Sequence, residues 1–309
     1  MKYLGIIFIV IALATYSCNK GENKVKEKKV TISGIVSDYD SNNGSITLII
    51  NSIAFDSKRK KIKPDSSGYF LYQFQSSHPK DIRIKANKAN FLVLTHPGDS
   101  IHVKFKYKKP EFWDTISFSG DRIAENNQIV NFQENFKKRK IERQSIIKSK
   151  KEKSIDEFKH FMDSVKNHSL DIAEKFIDKN GTNKEIANWI RWYASFPYFY
   201  NLYLYPIDRN IKVPVKYYDF QNEFLPITNE MLSATHVLSL FVNQYYYGYV
   251  KENIWQENKK KFRKWGKMQQ EGVLGEAIKQ RIDSIFITGI LNYAQGRRIK
   301  ELVLTHWLS

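Results

Sequence analysis

A change of hydrophobic period near Phe118 constrains this 309-residue chain more than any other feature. Upstream, apolar residues recur every second position. Phe70, Tyr72 and Phe74 alternate with Leu71 and Gln73, Ile82 and Ile84 with Arg83 and Lys85, and Ile101, Val103, Phe105 and Tyr107 with His102, Lys104 and Lys106. Successive side chains of a strand point to opposite faces, so this period reads as half-buried β-structure. Val30–Val36, interrupted by Gly34, and Ile46–Ile50 are further strand candidates, and Phe91–Leu94 is a short continuous apolar run. Turn chemistry separates the runs: Asp40-Ser41-Asn42-Asn43-Gly44, Pro64-Asp65-Ser66-Ser67-Gly68 and Pro97-Gly98-Asp99-Ser100. Short strands at this spacing with no helix between them predict an antiparallel sandwich.

Downstream the steps become three and four. Ile123, Ile129, Phe132 and Phe136 fit one helical face, and so do Met231, Ala234, Leu238, Phe241, Val242, Tyr245 and Tyr249. Phe262 and Trp265, then Ile278, Ile282 and Ile285, continue the theme toward Leu308. Residues 137–166 carry 11 Lys/Arg against 5 Asp/Glu, which predicts a solvent-facing helix or helical hairpin. Gly181 suits a helix C-cap after Lys179-Asn180. Trp189, Trp192, Phe196, Phe199 and Tyr203 share a face, with Pro197 expected to kink or break their helix. Helical spacing makes this aromatic set core packing before it makes it a sugar or peptide groove. The predicted fold is therefore α+β, an N-terminal antiparallel β-sandwich followed by an all-α region.

The N-terminus reads as a targeting segment. Met1-Lys2-Tyr3 is a short basic start, and Leu4–Ala14 is an uncharged apolar run. That run is shorter than the roughly 20 residues a bilayer span needs, and suits the h-region of an export signal. Leu13-Ala14-Thr15-Tyr16-Ser17-Cys18 resembles a bacterial lipobox, with small Ser17 before the only cysteine. Thr15 and Tyr16 depart from its commonest form. The resemblance implies cleavage before Cys18 and lipidation of its thiol. Residues 19–29 hold one apolar residue and read as a flexible tether. The predicted organisation is a signal peptide at 1–17, a tether at 18–29, the sandwich at 30–118 and the helical region at 119–309.

Composition narrows the function classes. A 42% hydrophobic chain is not disordered. One cysteine excludes an internal disulfide framework, a cysteine zinc site and a CxxC pair. The net charge of +18 is spread along the chain rather than focused in one stripe. Two basic runs stand out, Lys58-Arg59-Lys60-Lys61-Ile62-Lys63 between two predicted strands and Lys259-Lys260-Lys261-Phe262-Arg263-Lys264 on a predicted helix. Solvated basic faces account for them first and an anionic surface second; an exported chain has no access to nucleic acid. His78, His96, His102, His160, His168, His236 and His306 form no short metal-ligand spacing. No nucleotide-binding or nucleophile-elbow motif occurs, and Asp156-Glu157, set among lysines, reads as solvated ion pairs. No catalytic, cofactor or metal residue is predicted.

Several short motifs point to a family. Ile32-Ser33-Gly34, Gly68-Tyr69-Phe70, Pro97-Gly98-Asp99-Ser100-Ile101, and Ser117-Phe118-Ser119-Gly120 followed by Glu125-Asn126-Asn127 resemble the N-terminal domain of TlpA-type thiol:disulfide interchange lipoproteins. Thr288-Gly289-Ile290-Leu291-Asn292-Tyr293 to Leu308 looks like the helix that precedes their thioredoxin-like domain. No WCxxC is present, so no redox residue carries across. The resemblance implies a sandwich plus helices, an envelope-facing module anchored through Cys18, and the lack of an acidic run in residues 19–29 favours the outer membrane's periplasmic side. It also implies a non-catalytic accessory module, working beside a thioredoxin-like partner. The alternative expectation is a truncated or split member of that family whose catalytic domain lies elsewhere.

Overall fold

A computed structural model describes residues 26–40, 44–52, 57–106, 112–225, 227–271 and 276–294. Cys18, the signal segment, the tether before residue 26, Tyr107, His306 and the stretch from 295 to 309 lie outside them.

The α+β expectation holds, with strands first and helices after. The strands are β1 (Lys28–Val36), β2 (Ile46–Ile50), β3 (Lys58–Ile62), β4 (Tyr69–Ser76), β5 (Lys80–Ala86), β6 (Ala89–Thr95), β7 (Ser100–Phe105) and β8 (Ser117–Gly120). They form two four-stranded sheets, β4-β1-β7-β8 and β3-β2-β5-β6. All pairs are antiparallel except β1 with β7, which run parallel through Ile32↔Ile101 and Gly34↔Val103. The predicted antiparallel sandwich did not include this pair.

The inner faces of both sheets make one core. Val30 and Ile32 of β1 and Ile101 and Val103 of β7 meet Leu48 of β2, Ile82 and Ile84 of β5, and Phe91 and Val93 of β6. Gly34 does not interrupt β1. A Cβ there would stand 2.2 Å from the Val103 carbonyl oxygen and 2.7 Å from the Phe70 ring, so the missing side chain lets β7 and Phe70 close over the strand.

The basic run 58–62 is itself a strand rather than a link between two. Lysine is a weak strand former, and β3 exists because it pairs along β2 from Ile46↔Ile62 to Ile50↔Lys58. Its four basic residues are exposed, as a sheet edge allows.

The helices are α1 (Ile123–Arg139), α2 (Arg143–Glu152), α3 (Ile155–Asn180), α4 (Lys184–Arg209), α5 (Thr235–Tyr245), α6 (Lys251–Gln270) and α7 (Glu276–Tyr293). Two 3₁₀ segments, Val215–Phe224 and Asn229–Ala234, precede α5, and a π turn, Tyr246–Val250, joins α5 to α6. Gly181 ends α3 with φ +56°, as its position predicts. Pro197 does not end α4, which runs through both Pro197 and Pro206. Burial of Ala194, Tyr198, Phe199 and Leu202 around the first proline offsets the lost backbone bond.

The helical core is aromatic. Trp189 stacks on Tyr193 at 5.0 Å, and Phe199 meets Phe241 edge-on at 5.3 Å. Its buried tyrosine hydroxyls find acceptors: Tyr203 donates to Gln221 Oε1 (3.2 Å) and Tyr217 to the Leu202 carbonyl (2.9 Å).

Candidate functional site

The helices cover the outer face of the second sheet over β5 and β6. Leu92 and Leu94 therefore belong to the helical core while Phe91 and Val93 belong to the sandwich core. This explains the unbroken apolar run at 91–94, since a strand buried on both faces loses its alternation. β6 is a sheet edge, and α1 closes it with side-chain amides. Asn126 Oδ1 accepts from Leu94 N–H (2.7 Å) and its Nδ2 donates to the Leu94 carbonyl (3.1 Å). Gln133 does the same for Leu92 at 3.0 and 3.3 Å. Two helix residues thus stand in for a missing strand. Asn126 lies in the Glu125-Asn126-Asn127 motif quoted above.

Next to this seal lies a buried polar cluster on β5. Asp81 and Arg83 share the outer face of the strand, two residues apart. Asp81 is fully buried. Its Oδ2 accepts from the Trp189 indole N–H (2.9 Å) and its Oδ1 from the His236 backbone N–H (2.6 Å). Burial pushes its carboxyl up to about 7, against the opposing pull of those two donors and of Arg83. Arg83 contacts His236 Nε2 closely, and its own Nε is buried without a hydrogen-bond partner among the described residues.

His236 is the one histidine drawn into this junction. Burial, then the adjacent Arg83 charge, hold its pKa down to about 3, so the ring is neutral. Arginine only donates, so Nε2 must accept and Nδ1 must carry the proton. Nδ1 lies 3.1 Å from the Asn51 amide. A protonated Nδ1 requires the amide oxygen on that side, the flip that hydrogen-bond balance selects for an amide. Burial also raises the Tyr193 hydroxyl, which lies under the influence of both Arg83 and Asp81.

A cleft of about 290 Å³ opens beside this junction, lined by Pro79, Lys184, Glu185, Asn188, Glu230 and Ser233. Pro79 comes from the sandwich, Lys184, Glu185 and Asn188 from the start of α4, and Glu230 and Ser233 from the second 3₁₀ segment. Lys184 Nζ reaches Glu230 Oε1 at 2.6 Å across exposed surface. His96 Nε2 meets Glu185 at 2.9 Å on one wall. The Ser233 hydroxyl is buried with no hydrogen-bond partner among the described residues.

The other sequence-marked residues lie elsewhere. Glu157 accepts from Ser154 N–H and Oγ–H (2.9 and 2.7 Å), capping α3, and those bonds hold its carboxyl below the usual range. His102 pairs with Ser33 at 3.1 Å, and His168 donates to the Arg139 carbonyl at 2.9 Å. Lys259–Lys264 lie on α6. Among the described residues no group of His, Cys, Asp and Glu could hold a metal ion, and no helix is long and apolar enough to cross a membrane. The Asp81–Arg83–His236 junction escaped the sequence reading, because Arg83 alternates with Ile82 and Ile84 as a solvent-facing residue would.

The architecture defines an α+β protein whose sandwich and helices meet through a buried polar seam. Comparison of the chain with protein-family models, curated proteins and solved structures found no match.

Proposed function

We propose that the chain is a non-catalytic lipoprotein of the cell envelope, anchored through Cys18, that binds a thioredoxin-like protein partner at the cleft between sandwich and helices. The observation that carries the binding role is that cleft. Its lining includes a buried Ser233 hydroxyl with no hydrogen-bond partner among the described residues, together with the Asn188 amide and the Glu185 carboxylate. A buried hydroxyl left unsatisfied costs about 1–3 kcal/mol, which an incoming polar group would recover. The strongly perturbed groups nearby support binding over chemistry. Asp81 and His236 are spent on each other's element, on Trp189, on Asn51 and on Arg83, so they serve to hold the cleft's two walls in register.

The test is a photo-reactive amino acid at position 230 of the full chain in intact envelopes. The reading expects one discrete adduct with a thioredoxin-like protein, lost when Asn188→Trp fills the cleft. An adduct unaffected by Asn188→Trp contradicts it. Cys18→Ser is expected to abolish acyl labelling. Thiol–disulfide turnover by the chain alone would contradict the non-catalytic assignment.

A further inference from the structure

Lys58, Arg59, Lys60 and Lys61 are four of the five residues of β3, and all four are exposed. β3 is the free edge of its sheet, at the opposite margin from the helix-sealed β6. The register puts Lys58 and Lys60 opposite Ile50 and Leu48, on the inner side of the pleat. It puts Arg59 and Lys61 opposite Ile49 and Thr47, on the outer side, in rows with Arg83 and Lys85. None of the four has an ion-pair partner among the described residues. One inward lysine suffices to block pairing at a sheet edge. Four in succession make a strip about 13 Å long with positive charge on both sides of the strand.

The strip starts where the chain enters the sandwich. Lys28, the first residue of β1, pairs with Ser76 at the end of β4, and β5 begins just beyond at Lys80. Ile50 of β2 lies between Lys58 of β3 and Ile82 of β5. Burial holds the Lys80 ammonium below its usual range, while the nearby charges of Glu27 and Lys58 act on it in opposite directions. The segment from Cys18 to Lys28 spans at most about 35 Å.

We propose that the β3 strip docks on the anionic headgroups of the bilayer to which the chain is anchored. This rests on the lipoprotein reading above. Charge complementarity selects a phosphate-bearing surface, and the short connection to Cys18 keeps that surface within reach. The anchor and the strip then act as two attachments whose combined hold exceeds either alone. All four basic side chains are exposed, which leaves the strip open to a flat partner.

The test uses the chain from Asn19 onward, co-sedimented with vesicles of phosphatidylcholine mixed with phosphatidylglycerol, and with phosphatidylcholine vesicles alone. The proposal expects binding to the anionic vesicles only, weakening as salt rises. Joint Lys58→Glu, Arg59→Glu, Lys60→Glu and Lys61→Glu should lower partitioning by at least about 10-fold. The same four-charge reversal on α6, at Lys259, Lys260, Lys261 and Lys264, should lower it several-fold less. Arg59→Gln with Lys61→Gln, which leaves the inner side of the strand intact, gives an intermediate loss if the quadruple variant fails to fold by circular dichroism. Equal losses from the β3 and α6 reversals overturn the proposal, as does equal binding to neutral vesicles. Tighter binding to duplex DNA or an acidic protein than to anionic vesicles at the same salt overturns it too. Acyl labelling of the full chain is read separately. Labelling without vesicle binding defeats the strip and leaves the anchor standing, and vesicle binding without labelling does the reverse.

Discussion

The two cores of this molecule are built from different chemistry. The sandwich core is mainly valine, isoleucine and phenylalanine. The helical core is full of tyrosine and tryptophan, whose polar tips must find partners indoors. An aliphatic core needs only shape. An aromatic core with buried hydroxyls needs a matching set of acceptors, and Gln221, Asp163 and the Leu202 carbonyl supply them. Where the two cores meet, the sandwich adopts the second style. Asp81 of β5 lies buried and Arg83 half-buried under helices, held by Trp189 and His236.

That contrast predicts where substitutions hurt most. The largest effects belong at the seam. Trp189→Ala removes a fully buried ring and should destabilise by about 3–5 kcal/mol in chemical denaturation. Asp81→Ala should cost a similar amount, about 3–5 kcal/mol, because the Trp189 indole N–H and the His236 backbone N–H are left buried without their acceptor and the nearby Arg83 charge loses an attractive neighbour. Adding Arg83→Met to Asp81→Ala should recover part of that loss. A double variant no better than the single one would mean that Asp81 acts through Trp189 and His236 alone.

Next in size is the pH dependence. The folded Asp81 carboxyl is raised to about 7, so the unfolded chain ionises first. Its contribution to stability is therefore lost as pH rises from about 4 to about 7. The folded His236 is lowered to about 3. Its contribution is present above about 6.5 and is lost as pH falls from there toward 3. Between about 4 and 6.5 the two slopes oppose each other, and the wild-type seam is nearly indifferent to pH. Asp81→Asn leaves only the histidine slope. The variant should gain on wild type with rising pH, by at most about 1.4 kcal/mol per pH unit. Parallel profiles for the two proteins would contradict the assignment.

The smallest of these effects belongs to the sealed edge. Gln133→Ala exposes the Leu92 backbone groups to a dry interface and should cost about 1–3 kcal/mol. Gln133→Glu keeps an acceptor for Leu92 N–H but loses the donor to its carbonyl, so it should recover only part of the stability. Full recovery would show that the amide pairing is not what closes β6.

Much of this fold is legible in the chain. Ile82, Ile84, Ile101 and Val103 alternate because one side of their strands faces the sandwich core. Leu238, Phe241, Val242 and Tyr245 recur at helical steps because one side of α5 faces the helices. The turn at Pro97-Gly98 forms where its residues predict, closed by Asp99 N–H to the His96 carbonyl at 3.1 Å. The misses share a cause. Local preference argues against Lys58–Ile62 as a strand, and only the pairing with β2 makes it one. The helix runs on through Pro197, so only the break half of the kink-or-break expectation fails, because the burial that sustains α4 comes from distant residues. Arg83 reads as solvated because alternation reports which face of a strand is apolar, not what covers the polar face. Of the candidate cleft, nothing in the sequence joins Pro79 to Ser233, since their proximity exists only once the helices lie on β5.

The central claim is that the buried seam makes sandwich and helices one cooperative unit. Native-state hydrogen exchange of the full chain, read by mass spectrometry, tests it most directly. The account predicts that amides of β5 and β6 and amides of α4 share one opening free energy in the wild type. It also predicts that Asp81→Ala lowers α4 protection more than that of β1 and β7. Independent opening of α4 in the wild type, with β5 and β6 still fully protected, would contradict it.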